Sequence, residues 1–173
     1  NGDLTISGDG VLSVTAGDAA EDDSYGIYVN GNLTIKSGTI NATGGTASGS
    51  SYGIYATTVM IHDGTVIATG GTAGSAGDNV SCGIGGSYGV VIFGGTVNAT
   101  GGAASGSSYG IYATSAVTIE DGTVNATGGT AGSAEGNVSC GISAWDGVAI
   151  YGGTVNATGG AAYSSYGIEI CYE

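Results

Sequence analysis

A few side chains in this sequence have the types and spacing that catalysis would need. His62 directly precedes Asp63, and Asp121 occupies the position equivalent to Asp63 two repeats further along the chain. Two carboxylates held two strand spacings apart would lie close to the separation used by inverting glycosidases. No nucleophile is placed beside a base, and duplication of the repeat would by itself produce the second aspartate. The sequence therefore predicts that the protein is not an enzyme.

Aromatic side chains are the second set of candidates. Tyr28, Tyr55 and Tyr112 each stand two residues after a glycine that recurs in the repeat, and Trp145 and Tyr151 lie in or near the adjoining strand. Sugar rings stack on exposed aromatic faces, and a neighbouring glycine would let a ligand approach closely. We therefore predict these five residues as carbohydrate-binding positions. The alternative is that the rings pack on one another across repeats or contact another protomer.

An eight-residue segment, GTVNATGG at 122–129, supplies the third set and is called the octet below. Copies that are identical or nearly so begin at Gly38, Gly64, Gly95 and Gly153. In a strand, Val124 and Ala126 would point inward and the polar residues between them outward. The outward positions of the three identical copies are Thr96, Asn98, Thr100, Thr123, Asn125, Thr127, Thr154, Asn156 and Thr158.

This array of hydroxyls and amides could meet a polysaccharide chain or an ice plane. The alternative is structural, because threonine suits strands and stacked asparagine amides can hydrogen-bond between neighbouring strands. Ile67 replaces the asparagine in one copy and disfavours any site that needs every amide.

The repeat sets the elements that position these residues. Starting from a degenerate copy at Gly10, the first glycines of successive octets are 28, 26, 31, 27 and 31 residues apart. Such periods in a glycine-rich chain indicate a solenoid. We divide the chain into the turns 1–29, 30–56, 57–86, 87–113, 114–144 and 145–173, which form a single domain over residues 1–173.

Each turn contains three short strand-like segments: one with alternating apolar residues, the octet, and one of the type Tyr-Gly-Ile-Tyr-Ala. The predicted fold is all-β, a single-stranded right-handed parallel β-helix of about six turns with three short strands per turn. A left-handed hexapeptide helix would need a regular coil of about 18 residues, and a calcium-binding roll would need glycine-rich nonapeptides. Neither pattern is present.

The cysteines occupy repeat positions too. Aligning the third segments gives one predicted inward column, which reads Tyr25, Tyr52, Cys82, Tyr109, Cys140 and Tyr166. Cys82 and Cys140 would be two turns apart, about 9.6 Å, which is too far for a disulfide. We expect buried thiols between tyrosine rings. Cys171 lies five residues past the column, and three such cysteines with a single histidine make a structural zinc site improbable.

The charge balance excludes several classes of partner. Fourteen acidic residues face one basic side chain, Lys36, for a net charge of -13. Nucleic acid and anionic membranes would be repelled, and no apolar run has the length of a membrane span. We predict no cofactor; the one calcium candidate is the acidic loop formed by Asp18, Glu21, Asp22 and Asp23, which lacks the spacing of known calcium loops.

The repeats also resemble a known group of proteins. The segments DLTISGDGVLSVTA at 3–16, NLTIKSGTINATGG at 32–45 and VTIEDGTVNATGG at 117–129 are similar to the β-helical repeat regions of large surface proteins from clostridial and related gut anaerobes. Many of those are labelled carbohydrate-binding domain proteins. The resemblance implies a secreted, non-catalytic right-handed β-helix, sometimes calcium-bearing, that attaches to plant or host polysaccharide.

The two ends of the sequence indicate what the protein would associate with. The first four residues match 30–33, so the chain opens in phase with a repeat, and no cap is evident at either end. Open strand edges recruit further strands. We therefore expect either a segment of a longer solenoid or end-to-end stacking into a filament. The predicted function is an extracellular structural or adhesive solenoid that contacts polysaccharide; the alternatives are a dedicated carbohydrate-binding module and an ice-binding array.

Overall fold

The computed structural model describes residues 2–74 and 79–171. Throughout these residues the chain consists of strands joined by turns and bends. The strands, in chain order, are β1 (Leu4–Ile6), β2 (Val11–Thr15), β3 (Ser24–Ile35), β4 (Thr39–Thr43), β5 (Ser51–Ile61), β6 (Thr65–Thr69), β7 (Ser81–Ile92), β8 (Thr96–Thr100), β9 (Ser108–Ala113), β10 (Ala116–Ile119), β11 (Thr123–Thr127), β12 (Val138–Ala144), β13 (Gly147–Ile150), β14 (Thr154–Thr158) and β15 (Ser164–Ile170). None of the described residues forms a helix long and apolar enough to cross a membrane.

The strands form two parallel sheets that coil together along one axis. The six octet strands build one sheet in the order β14-β11-β8-β6-β4-β2. The first and third segments of the turns build a nine-stranded sheet, whose main path is β1-β3-β5-β7-β9-β12-β15, with β10 between β7 and β13. Each strand pairs with its counterpart in the neighbouring turn, on both sides except at the two ends of the stack. This arrangement confirms the predicted all-β parallel solenoid of about six turns.

The three segments predicted for each turn are present, but they are not all separate strands. In β3, β5 and β7 the third segment of one turn runs directly into the first segment of the next. Register shifts lie between Val29 and Asn32 and between Ala56 and Thr58. A bulge of this kind bends a strand without ending it. In the later turns a bend separates β9 from β10 and β12 from β13.

The core consists of columns of the same residue type stacked at successive turns. Ile35, Ile61, Ile92 and Ile119 form one such column, in register and fully buried. Burying each isoleucine contributes about 1.5–3 kcal/mol. At the first and last turns the equivalent apolar side chains are more exposed, because each has a neighbouring turn on one side only. The solenoid is therefore stabilised turn against turn.

Candidate functional site

The outward side chains of the six-stranded sheet form a flat surface, called the octet face below. Its strands pair without a register shift, so that Thr123 lies between Thr96 and Thr154. Between these outward positions, Val124 and Ala126 are fully buried in the core. The alternation read from the sequence therefore gives the correct orientation of the octet, because a strand of period two can bury only one of its sides.

The asparagines of the octet face hydrogen-bond to one another across turns. Asn125 Nδ2 donates to Asn98 Oδ1 at 2.8 Å, and Asn156 Nδ2 donates to Asn125 Oδ1 at 2.8 Å. Ile67 is 41% exposed in the same column and interrupts the ladder. The amides therefore have a structural use, as the alternative interpretation of the sequence expected.

The octet face carries no charged side chain at any outward position of its six strands, all of which the structure describes. The acidic side chains that the structure describes lie at corners and loops, apart from Glu169 in β15 of the other sheet. A polymer that meets this face would meet hydroxyls, amides and methyl groups. Since the net charge of the chain is -13, the face is distinct in chemistry from the rest of the surface.

The tyrosines of the third segments form a second surface, called the tyrosine face below. The rings of Tyr25 and Tyr52 stack at 5.3 Å between centroids and 7° between planes, and those of Tyr28 and Tyr55 at 6.1 Å and 1°. Although Tyr28 is 55% exposed, one face of its ring is directed at Tyr55. Stacking along the axis therefore covers one of the two ring faces that a sugar could use on Tyr28.

The glycines of the third segments do not provide an approach for a ligand. A Cβ on Gly26 would lie 2.8 Å from the backbone nitrogen of Thr43, and one on Gly110 would lie 2.5 Å from that of Thr127. These glycines therefore face the octet sheet and allow the two sheets to come close together.

The predicted inward column of tyrosines and cysteines is wrong in its orientation. Tyr25 contacts Tyr28 at 4.9 Å between ring centroids, so the two share the outer face despite their odd spacing. The chain turns at Gly26, which is directed at the octet sheet, and the alternation of side chains does not continue across it. Strict period-two counting through a corner glycine fails for this reason.

The burial of the two column thiols was nevertheless predicted correctly. Cys82 and Cys140 are fully buried, and burial raises the pKa of both thiols. Cys82 Sγ donates to the carbonyl oxygen of Ile84 at 3.2 Å, and Cys140 Sγ donates to Glu169 Oε2 at 3.2 Å. These cysteines and the half-buried Cys171 are all free.

The other predicted aromatic residues lie in two places. Trp145 Nε1 donates to the hydroxyl of Tyr112 at 3.0 Å, and the indole is 40% exposed. Tyr112 in turn stacks on Tyr109 at 5.0 Å. Tyr151 is 73% exposed just after β13. The structure thus brings Tyr112 and Trp145 together and leaves the ring of Tyr151 accessible.

The acidic loop uses most of its carboxylates to hold backbone amides. Asp18 Oδ1 accepts from the backbone N–H of Thr46 at 2.9 Å, and Asp22 Oδ1 accepts from that of Asp23 at 2.9 Å. Asp23 accepts from both the hydroxyl of Tyr25 and a backbone amide, while Glu21 is exposed. In the part of the chain that the structure describes, no three such side chains converge as metal ligands.

The residues considered for catalysis have structural roles. Asp63 Oδ1 accepts from the backbone N–H of Gly64 at 2.7 Å, and Asp121 Oδ1 accepts from that of Gly122 at 2.8 Å. Both glycines have positive φ, so the aspartates fix the corners that precede the octets. The ring of His62 stacks on Phe93 at 4.6 Å. The positions of these three residues therefore do not favour a catalytic role.

Sequence reasoning missed one structural system, a relay of buried serines along the axis. Ser108 Oγ donates to the carbonyl oxygen of Gly102 in its own turn at 2.8 Å and accepts from the backbone N–H of Gly129 in the next turn at 2.8 Å. The serines that make the same pair of bonds are Ser24, Ser51, Ser81, Ser108 and Ser139. The sequence did contain a sign of this system, because in each turn the third segment is preceded directly by a serine.

Comparison with known proteins agrees with this architecture. A family model described as "Beta helix repeat" matches residues 33–54, 59–88, 90–109, 117–143 and 148–168, which together cover well over half of the chain. The chain belongs to the β-helix repeat family. Comparisons with curated proteins and with solved structures gave no match. Membership of the β-helix repeat family assigns the architecture, and it brings no reaction or ligand with it.

Proposed function

We propose that this β-helix repeat protein is a non-catalytic structural and adhesive element outside the cell, and that its octet face contacts neutral polysaccharide. The observation that carries the proposal is the charge-free octet face, which keeps one register over six strands. A neutral polysaccharide presents regularly spaced hydroxyls that can hydrogen-bond to this face, and it meets no charge there. Anionic glycans would be repelled by the acidic corners and loops.

The extracellular location is supported by composition and by resemblance. The chain is acidic, poor in lysine and rich in glycine, threonine and asparagine. Its repeats resemble those of bacterial surface proteins. A rigid rod of stacked turns suits a role in which a binding surface is held away from a cell.

We further propose that the open ends of the solenoid are contact surfaces for more turns of the same repeat. Leu4 and Leu12 in the first turn and Ile150 and Ile168 in the last are exposed at positions that are buried elsewhere. Another turn laid on either end would bury them, whether it came from the same polypeptide or from a second copy. Negative-stain microscopy of the purified chain distinguishes filaments, which support stacking between copies, from short rods, which contradict it.

A binding assay on insoluble polysaccharides tests the octet face. Microcrystalline cellulose and chitin are the neutral probes, and polygalacturonate is the anionic comparison. Thr127→Glu should reduce binding to the neutral probes roughly tenfold or more, because a carboxylate would lose its hydration at the contact. The matched control is Thr57→Glu, which adds the same charge at an exposed threonine of β5. Equal binding by both variants, or no binding to any neutral polymer, would overturn the proposal.

A dedicated carbohydrate-binding module is a second candidate, favoured by the exposed indole of Trp145 beside Tyr112. In that case Trp145→Ala should abolish binding to a glycan array while Thr127→Glu leaves it intact. Unchanged binding by Trp145→Ala would remove this candidate.

The regular threonines of the octet face favour a third candidate, binding to ice. The threonines repeat at the strand spacing of about 4.8 Å on a flat sheet. Thermal hysteresis of the purified chain is the expected result, and its absence would eliminate this function.

A further inference from the structure

One column of the octet face is the same residue in all six turns. Its members, in register from first strand to last, are Thr15, Thr43, Thr69, Thr100, Thr127 and Thr158. We call this column the threonine row. The two other outward columns are interrupted, one by Val11 and the other by Ser13 and Ile67. The row is therefore the one outward column of this sheet that repeats without a break.

The hydroxyls of the threonine row are available to a ligand. Within residues 2–74 and 79–171, none of them makes a hydrogen bond to a protein group, whereas the asparagine amides beside them bond to one another. Thr100, Thr127 and Thr158 are exposed. A hydroxyl both donates and accepts hydrogen bonds, so each threonine of the row can bond to either a donor or an acceptor on the ligand.

The row is bordered on one side by bare backbone. Each of its threonines is followed by two small residues, and from the second turn onward both are glycine. A Cβ on Gly71 would lie 2.2 Å from the carbonyl oxygen of Gly45, and one on Gly129 would lie 2.2 Å from that of Gly102. No side chain fits at these positions. The preceding turn occupies the space that a side chain would need, so these glycines allow successive turns to pack closely beside the row.

A ligand that uses the whole row must be linear and must repeat along the solenoid axis at the strand spacing, about 4.8 Å. An extended β-1,4-linked pyranose chain advances by nearly this length per sugar, because its equatorial linkages keep the chain straight. Chains with β-1,3 or α-1,4 linkages coil, so that successive sugars leave the line of the row.

We propose that a single neutral β-1,4-linked glycan chain lies parallel to the solenoid axis over the threonine row, with one sugar for each turn. This inference rests on the proposed polysaccharide contact of the octet face and specifies the linkage and the direction of the chain. The absence of charge on the face fits uncharged sugars of the glucose or N-acetylglucosamine type.

Calorimetric titration with a length series of β-1,4-linked glucose oligomers tests the proposal. Affinity should rise with each added sugar up to about six, one for each strand of the sheet. The double variant Thr100→Val/Thr127→Val removes two hydroxyls of the row with little change in shape, and it should weaken binding of the longest oligomer roughly tenfold. The matched variant Thr96→Val/Thr123→Val removes two hydroxyls from the opposite edge of the same strands, about 13 Å from the row, and should weaken binding of the same oligomer clearly less than the row variant does.

Different outcomes separate this inference from the proposed function. Equal weakening by the two double variants, an affinity plateau at two or three sugars, or equal affinity for β-1,3-linked oligomers would refute the axial chain while leaving a polysaccharide contact in place. Failure of every neutral oligomer and polymer to bind would refute both.

Discussion

Removing the hydroxyl of Ser108 should destabilise the solenoid, because this buried oxygen makes two hydrogen bonds that join neighbouring turns. Ser108 is fully buried, and its Oγ bonds to Gly102 and to Gly129, both at 2.8 Å. Ser108→Ala would leave the amide of Gly129 and the carbonyl of Gly102 without this partner inside the protein. An unsatisfied buried group costs about 1–3 kcal/mol, and the carbonyl retains part of its interactions. We expect the free energy of unfolding to fall by about 2–4 kcal/mol.

Urea denaturation followed by circular dichroism measures this change. With an unchanged dependence on urea concentration, the loss appears as a lower midpoint. Since turns of a solenoid couple mainly to their neighbours, hydrogen exchange at the amides of turns four and five gives a local second measurement. Exchange there should accelerate more than in the first turn.

The matched control is Ser133→Ala, at an exposed loop serine. It should change the free energy of unfolding by less than about 0.5 kcal/mol. Equal urea midpoints for Ser108→Ala and Ser133→Ala would show that the two buried hydrogen bonds of Ser108 contribute nothing to stability.

Three further predictions concern the corners and the buried ionisable groups. Gly122→Ala should lower the free energy of unfolding by about 3 kcal/mol or more, because the φ of Gly122 is 98° and a Cβ would lie 2.6 Å from a backbone oxygen. Gly136→Ala, where φ is also positive but the space is open, should lower it by about 1 kcal/mol in the same urea titration. The thiol of Cys82 should react with a disulfide reagent only on unfolding, while Cys171 reacts first, as followed by absorbance. Burial raises the pKa of Cys82 and of Tyr52, so the unfolded chain loses these protons more readily than the folded chain; the free energy of unfolding should therefore fall as pH rises above about 8.5 and again above about 10.

Each of these has a contrary outcome. Equal costs for the two glycine variants would show that the close contact at Gly122 is absent. Rapid labelling of Cys82 in the folded chain would contradict its burial. A urea midpoint that stays constant from neutral pH to beyond the ordinary phenol pKa would show that the raised pKa values make no contribution to stability.

The orientation of the octet could be predicted from sequence because it depends on one local rule. A strand of five residues alternates, and Val124 and Ala126 are its only apolar pair. The repeat then fixes which residues are stacked, because parallel turns in register bring equivalent positions together. Both steps need only the identity and spacing of the residues.

The tyrosine face could not be oriented in this way. Its strands pass through a corner glycine, and the side to which Tyr25 points depends on how the two sheets meet there. The serine relay was missed for a related reason. A serine before a tyrosine is typical of a loop, and only the fold shows that a glycine amide of the next turn lies within hydrogen-bond distance of its hydroxyl. The first member of the threonine row follows from aligning the degenerate octet at Gly10, and the strand register places Thr15 beside Thr43 as that alignment expects.

The asparagine ladder gives the octet face a direction. Asn156 donates to Asn125, and Asn125 donates to Asn98, so each amide group points the same way and their dipoles add along the axis. The two directions along the rod are therefore electrically different. A glycan chain has a reducing end and a non-reducing end, and it would find two non-equivalent ways to lie on this surface. The octet face would therefore distinguish the two orientations of a bound polymer chain as well as its chemical composition.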